Sequence, residues 1–241
     1  MNPATLKGQL FLLPTLLAEE TQYKALSPSV PDTIRNIRCF LCENIRTARR
    51  FVSSLKVHDS IESLQFEVLD KDTKPEELPK LFGPILRGEN IGILSESGCP
   101  GVADPGAIAV AYAHIHDIKV IPLVGPSSIL LALMASGLNG QQFAFHGYLP
   151  IDSKNATSAI KELERESREK DQTQIFIETP YRNNALMGHL LRSLRGDTRL
   201  CVAMNLTAEQ EKISCKEVSL WNKLPLQFEK VPAVFLFLAA P

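Results

Sequence analysis

"NIGILSESGCPGVADPGAIAVAYAHI", residues 90–115, holds three patterns in succession. "NIGILS" (90–95) is a short apolar run that reads as a buried strand. "AIAVAYAHI" resumes with helical spacing. Between them lie Gly98, Gly101 and Gly106, with Pro100 and Pro105, and the acids Glu96 and Asp104. A strand, a glycine-rich turn and a helix are the beginning of a β-α-β unit. Glycines and prolines this dense in a connection bring backbone close to a ligand more often than they merely turn the chain.

The same alternation extends in both directions. "QLFLLPT" (9–15), "IRCFLCE" (37–43), "LQFEVLD" (64–70) and "KVIPLVG" (119–125) are further strand-like runs. "NIRTARRFVSSL" puts Ile45, Ala48, Phe51, Val52 and Leu55 on one helix face. "KPEELPKLFGPILRGE" opens with Pro75 at a first helical turn, followed by two Glu. "PSSILLALMASGL" starts with Pro126 and two serines and stops at Gly137. The first half therefore predicts an α/β domain with a mostly parallel sheet and helices on both faces.

After "FAFHGYLP" (143–150) the composition shifts to the charged helix "KNATSAIKELERESREKDQ". The strands "TQIFIETP" (173–180), "RLCVAMNLT" (199–207) and "VPAVFLFLAA" (231–240) follow, with the helix "ALMGHLLRSL" (185–194) between the first two. A domain at 1–146, a second, smaller α/β domain with a mixed sheet at 147–241, and a hinge at 150–152 are expected.

The chain has 241 residues, 44% hydrophobic and 22% charged, with a net charge of −1, an ordinary globular composition. Neither half is a basic nucleic-acid module by bulk charge, so RNA contact needs a local patch or a dimer groove. Arg46, Arg49 and Arg50 are a candidate lining for such a groove, or simply a solvated helix face. Five cysteines are an odd count without a disulfide framework. Cys39 and Cys42 match C-x-x-C inside an apolar run, with no second pair at zinc spacing, and read as buried thiols. No apolar stretch reaches the ~18 residues that span a membrane. "MNPATLKGQL" does not read as a signal peptide, so a cytoplasmic protein is expected.

The turn is a poor phosphate cradle. Gly101 to Gly106 has the G-x-x-x-x-G spacing, but Ala107 and Ile108 stand where a P-loop has Lys and Ser/Thr. The β- and γ-phosphates would lack their counter-charge, and Asp104 would repel them. The dinucleotide fingerprint G-x-G-x-x-G is absent as well. No G-x-S-x-G elbow is present. The five histidines lack metal-ligand spacing with carboxylates, His114-x-His116-Asp117 at a helix end aside, and no metal is expected. "LVGPSS" (123–128) is a second strand-to-helix loop. In a parallel sheet both loops leave the carboxyl ends of strands, the edge at which open α/β sheets bind ligands. A ligand without a phosphate fits this pattern.

Several stretches together carry a family resemblance. "GQLFLLPT", "SESGCPGVADPG", "VIPLVGPSSILLALMASGL" and "FAFHGYLP" resemble, in order, the tetrapyrrole methylase superfamily of class III S-adenosylmethionine (SAM) methyltransferases. Within it they are most similar to the bacterial branch that methylates a cytidine ribose 2'-hydroxyl in 16S ribosomal RNA. That branch's Ser-Asp-Ala-Gly-Thr-Pro and Asp-Pro-Gly match Ser95-Glu96-Ser97-Gly98-Cys99-Pro100 and Asp104-Pro105-Gly106; its Pro-Leu-Pro-Gly-Pro-Ser matches residues 122–127.

The resemblance implies two α/β domains, a homodimer, SAM in the cleft between the domains and an RNA substrate in the small ribosomal subunit. The residues it implies for SAM are Leu13, Pro14, Ser95, Glu96, Gly98, Cys99, Val102, Ala103, Gly125, Ser127 and Ser128, with Phe176, Met204 and Asn205 from the C-terminal domain. SAM carries no phosphate, which suits a loop without the lysine.

This chain also departs from the family. Pro14-Thr15-Leu16-Leu17-Ala18-Glu19 replaces Pro-Thr-Pro-Ile-Gly-Asn, and Glu43-Asn44-Ile45-Arg46 replaces Glu-Asp-Thr-Arg. Glu96 stands for the loop aspartate, and Met204-Asn205-Leu206-Thr207-Ala208 replaces Arg-Glu-Leu-Thr-Lys. A ribose hydroxyl needs a proton acceptor as it attacks, and Glu43, Glu96, Asp104 and Glu178 are the candidates. Methylation of a small molecule such as a tetrapyrrole, or SAM binding without catalysis, are the other readings.

Overall fold

The computed structural model describes residues 7–225 and 227–240. The amino-terminal stretch read above for a signal peptide lies largely outside them. The first strands are short, and all but β3 are apolar: β1 (Leu10–Leu13), β2 (Cys39–Cys42), β3 (Gln65–Val68), β4 (Ile91–Leu94) and β5 (Val120–Pro122). They form one sheet in the order β3-β2-β4-β1-β5, every pairing parallel. β2 and β4 are buried at every position, as strands covered on both faces must be.

The helices doing the covering are α1 (Ile45–Ser54) and α2 (Gly106–Ile115), with shorter helical turns. On one face Leu10, Leu41, Ile91 and Ile93 pack with Ala109 and Ala113 of α2 and with Phe82 and Ile85. On the other, Leu13, Phe40, Cys42 and Leu94 pack with Ala48 and Val52 of α1 and with Val30 and Ile34. Burying each such Leu, Ile or Phe side chain stabilises by about 1.5–3 kcal/mol. Cys39 and Cys42 fall on opposite faces of β2, so the C-x-x-C cannot act as a pair. The segment from Pro75 is broken into Pro75–Glu77, Leu78–Leu81 and Gly83–Leu86 because Pro79 and Pro84 interrupt it.

The second unit contains α3 (Ser128–Ser136), β6 (Phe143–Tyr148), α4 (Ser153–Lys170), β7 (Thr173–Glu178), α5 (Asn183–Ser193), β8 (Arg199–Met204), β9 (Lys212–Glu217) and β10 (Ala233–Leu238). Its sheet order is β6-β7-β10-β8-β9. β6 pairs parallel to β7 and the remaining pairings are antiparallel, which makes the sheet mixed, as expected. It is not the smaller of the two sheets: both have five strands. Phe176, Phe235 and Phe237 form its aromatic centre, packed with Ile160 of α4 and Leu186, Met187 and Leu190 of α5. Two buried polar groups there are satisfied: Trp221 Nε1 donates to the Leu200 carbonyl at 2.8 Å, and Glu164 accepts from Thr198 Oγ1 at 2.5 Å and the Arg195 amide at 2.8 Å.

The chain divides between Pro126 and Ser127. The compositional shift put the boundary at 146/147, which falls inside β6. Two contacts explain the earlier division: α3 packs on β8, β9 and β10, and β6 is a member of the second sheet. The stretch 150–152 lies within the second unit and ends in Asp152, whose carboxylate caps α4 by accepting from the Asn155 amide at 3.0 Å. No helix among the described residues is long and apolar enough to cross a membrane.

Candidate functional site

From β1 the chain crosses to β2 on one side of the first sheet, and from β4 it crosses to β5 on the other. The carboxyl ends of the adjacent strands β1 and β4, where Leu13 lies opposite Leu94, are therefore the switch point at which such sheets hold ligands. The loops that leave β1, β4 and β5 meet there. The Thr15 amide donates to the Gly98 carbonyl at 2.9 Å, and the Leu123 amide to the Leu12 carbonyl at 3.1 Å. Cys99 Sγ donates to the Pro126 carbonyl at 3.3 Å, tying the β4 loop to the β5 loop. Leu13, Pro14, Ser95, Gly98, Cys99 and Gly125 are thus brought together.

Two glycines permit the convergence. Gly98 has φ +78°, and a Cβ on it would lie 3.1 Å from the Pro126 oxygen and 3.2 Å from Leu17 Cδ2. Gly125 sits against Pro14 so closely that a Cβ would lie 2.2 Å from the ring's Cβ and Cγ. Thr15 beside them is buried, and its Oγ1 has no hydrogen-bond partner among the described residues.

The rest of the β4 loop is held in tension. Asp104 Oδ1 accepts from the Gly101 amide at 2.9 Å and the Gly106 amide at 2.7 Å, stapling the turn and meeting the first turn of α2. Between those anchors Ala103 is left-handed at φ +55°, which costs about 1–2 kcal/mol for a residue with a Cβ. Val102 at the tip is exposed. Ser95 is buried and closes a local turn with Ser97, while Glu96 is exposed.

Carboxylates gather at the same sheet edge. Glu43 follows β2 directly and precedes Asn44, whose side chain caps α1 by accepting from the Arg46 amide at 2.9 Å. Partial burial raises the proton affinity of Glu43 above that of an ordinary glutamate. The charges of Asp104 and Glu96 and a hydrogen bond with Asp104 raise it further. Burial likewise pushes the Cys42 thiol up to about 12, with Glu96 and Glu43 adding to it. Glu96 accepts from Thr47 Oγ1 at 2.5 Å. Three of the four expected proton acceptors therefore lie in one cluster. Asn44 and Thr47, which orient it, were missed in the sequence; a capping Asn ahead of an amphipathic helix was the available signal.

The fourth, Glu178, is in the second unit. It is buried, with Oε1 accepting from the Thr179 amide at 2.7 Å and Oε2 lying 2.9 Å from Arg182. It is a structural ion-pair partner. Phe176, expected to contact SAM, is fully buried in the aromatic core, so no side-chain surface remains to touch a ligand. Ser127 caps α3 through the Leu130 amide at 3.5 Å, and Ser128 begins that helix. Met204 ends β8 and Asn205 follows it, left-handed at φ +51°. With Gln210, Lys212, Phe228 and Val231 they line a cavity of about 50 Å³.

The arginines of α1 are exposed, but two of them are engaged. The Arg49 guanidinium lies 5.4 Å from the Phe66 ring centroid, and Arg50 is 3.7 Å from Glu19.

No family model matches the chain. Ribosomal RNA small subunit methyltransferase I of Escherichia coli O157:H7 is 30% identical over 210 residues, covering 86% of this chain and 68% of that protein. Its namesake in Buchnera aphidicola subsp. Acyrthosiphon pisum (strain APS) is 26% identical over 215 residues, covering 88% and 71%. Among solved structures, the methyltransferase CobJ superposes with a TM-score of 0.64 at 17% identity over 97% of this chain and 95% of that one. Diphthine synthase superposes with a TM-score of 0.61 at 14% identity over 96% and 89%. At such identities the solved structures establish the shared two-sheet fold alone. The sequence relatives go further: the chain belongs to the family of the ribosomal RNA small subunit methyltransferase I proteins.

Proposed function

We propose that this chain transfers a methyl group from SAM to RNA of the small ribosomal subunit, in the cytoplasm, at a ribose 2'-hydroxyl. The observation that carries this is the 30% identity to the E. coli protein over 86% of the chain, a span that takes in both sheets. A tetrapyrrole acceptor has weaker support, since two uroporphyrin-III-C-methyltransferase structures that share the fold are only 16% and 15% identical.

The residues of the first unit suit SAM as a ligand. The converging loops offer an unpartnered Thr15 hydroxyl at a switch point, with glycines where a Cβ would collide and no lysine for a phosphate. Leu13, Pro14, Ser95, Gly98, Cys99, Val102, Ala103 and Gly125 would hold it; the family resemblance implies Ser127, Ser128, Met204 and Asn205 as well. SAM supplies an electrophilic methyl group when bound. The protein's part is to align the acceptor and receive its proton, and alignment alone contributes roughly 7–11 kcal/mol.

We assign the proton acceptor as Glu43. Asp104 Oδ1 accepts from two amides, Glu96 accepts from Thr47 and Glu178 pairs with Arg182. Glu43 keeps a raised proton affinity, which moves a carboxylate toward the range of an effective base.

The test is transfer of labelled methyl from SAM into small ribosomal subunits isolated from a host in which this gene is deleted, with the modified position mapped by resistance to alkaline hydrolysis. Label at one protected ribose supports the reading. Label only in small molecules, or none, overturns it.

A further inference from the structure

β9 is an edge strand that pairs only with β8, and its register sets Cys215 directly opposite Cys201. Opposed residues of an antiparallel pair have Cα atoms about 4.5 or 5.5 Å apart, according to the hydrogen-bonding position. Both spacings lie within the range a disulfide spans, about 4.4–6.8 Å. The two side chains also leave the sheet on the same side. Leu200 and Val202 point into the core with α4 and α5, so Cys201 and Ala203 point to the opposite face, where α3 packs. Both cysteines are free thiols; Cys201 is fully buried and Cys215 is partly exposed.

We infer that Cys201 and Cys215 form a reversible dithiol–disulfide site that clamps the β8–β9 hairpin when a hydroperoxide oxidises it. The inference is independent of the methyl-transfer reading. The two sulfurs divide the roles by exposure. Cys215 meets solvent, and Cys201 does not. The Cys215 thiol ionises more readily than an ordinary cysteine. The hydrogen bond from Cys201 is the main cause; partial burial opposes it, and Arg199 and Lys216 assist. The Cys201 thiol is held protonated by the same contact and by burial. Glu217 lies opposite Arg199 at the end of the ladder.

The Cys215 thiolate attacks a peroxide oxygen. The O–O bond breaks, and the departing hydroxide or alkoxide takes a proton to leave as water or an alcohol, giving a sulfenic acid. The Cys201 sulfur then attacks Cys215 sulfur. The S–S bond forms, the S–O bond breaks, and the leaving hydroxide takes the Cys201 proton as water. Two thiols and one hydroperoxide become one disulfide and two neutral leaving molecules. A thiol reductant reverses the change by exchange.

Peptide mapping of the wild-type protein tests this without any variant. Trypsin cuts after Arg199, Lys212 and Lys216, so Cys201 and Cys215 fall on separate peptides, 200–212 and 213–216. After treatment with hydrogen peroxide and digestion without reductant, a linked peptide should appear that is two hydrogens lighter than the sum. It should vanish with dithiothreitol, and the undigested protein should run as a monomer on a non-reducing gel. Amide exchange across 205–217 should slow in the oxidised form. In Cys201→Ala the linked peptide should be absent and Cys215 should be trapped by dimedone as the sulfenic acid. If Cys215 of the wild type is instead driven to sulfinic or sulfonic acid with Cys201 unlinked, or stays a thiol, or the link joins two chains, the inference fails.

Discussion

Gly125→Ala adds one carbon at the point where the β5 loop rests on Pro14. The new Cβ would lie 2.2 Å from two carbons of the proline ring, whereas unstrained carbons stand about 3.5–4.0 Å apart. Pro14 is buried, and a ring fixed to its own backbone has no rotamer to escape into. The two loops must therefore separate by more than about an ångström, roughly the difference between these distances. Overpacking of this kind costs about 1–3 kcal/mol, which lowers the melting temperature by about 2–4 °C per kcal/mol in a chain of this size. A binding surface built from both loops loses its fit as well. SAM affinity measured by calorimetry should fall at least about tenfold, equivalent to about 1.4 kcal/mol. Gly140→Ala is the control, because nothing lies within 4 Å of the Cβ it adds. A Gly125→Ala protein that melts lower but binds SAM as tightly as the wild type would falsify the assignment of these loops to SAM. Unchanged melting and unchanged binding would refute the packing argument itself.

Glu43→Gln tests the carboxylate cluster by pH. The folded protein raises Glu43 above its unfolded value, so its stabilising contribution is complete below about pH 4, near the unfolded value, and is lost as pH rises through the raised folded value. The permanently neutral variant should therefore melt higher than wild type at pH 8, with the gap closing toward pH 4, while methyl transfer falls; a variant that melts lower at pH 8 would contradict the repulsion. Asp104→Ala removes two charge-assisted bonds to backbone amides and should destabilise by about 3 kcal/mol, read by denaturant titration, whereas Asp104→Asn, which keeps an acceptor oxygen, should cost less. Gly98→Val forces a branched side chain onto φ +78° and against the Pro126 oxygen, and should weaken SAM binding in the same calorimetric assay. The family resemblance implies a homodimer, for which light scattering should give twice 26.7 kDa; a mass of 26.7 kDa at micromolar concentration counts against it.

The interior of the first sheet was legible because β2 and β4 are continuous apolar runs set among helix-period segments, a pattern that follows directly from burial on two faces. β9 was not legible. "KISCKE" carries charge at both ends and only partly buried residues between them, as an edge strand does, so no periodic signal marked it. With β9 invisible, the opposition of Cys201 and Cys215 was invisible too. The division at Pro126 was hidden for a related reason: composition changes at the charged helix α4, but α3 is apolar enough to belong to either sheet, and only packing assigns it. At the site, residue types marked the loops but not their partners. Gly125 announces itself as a glycine; that it serves Pro14 depends on β1 and β5 being neighbours, a fact of strand order. Alternation along β7 turns the Phe176 side chain into the aromatic core, which its residue type alone did not show. Glu43, Glu96 and Asp104 were separate candidates in the sequence. Parallel strands β2 and β4 pair in register from Cys39 and Ile91 to Cys42 and Leu94, so the residues that follow both strands emerge side by side. The cluster is a consequence of that register, and a one-residue slip between β2 and β4 would dissolve it.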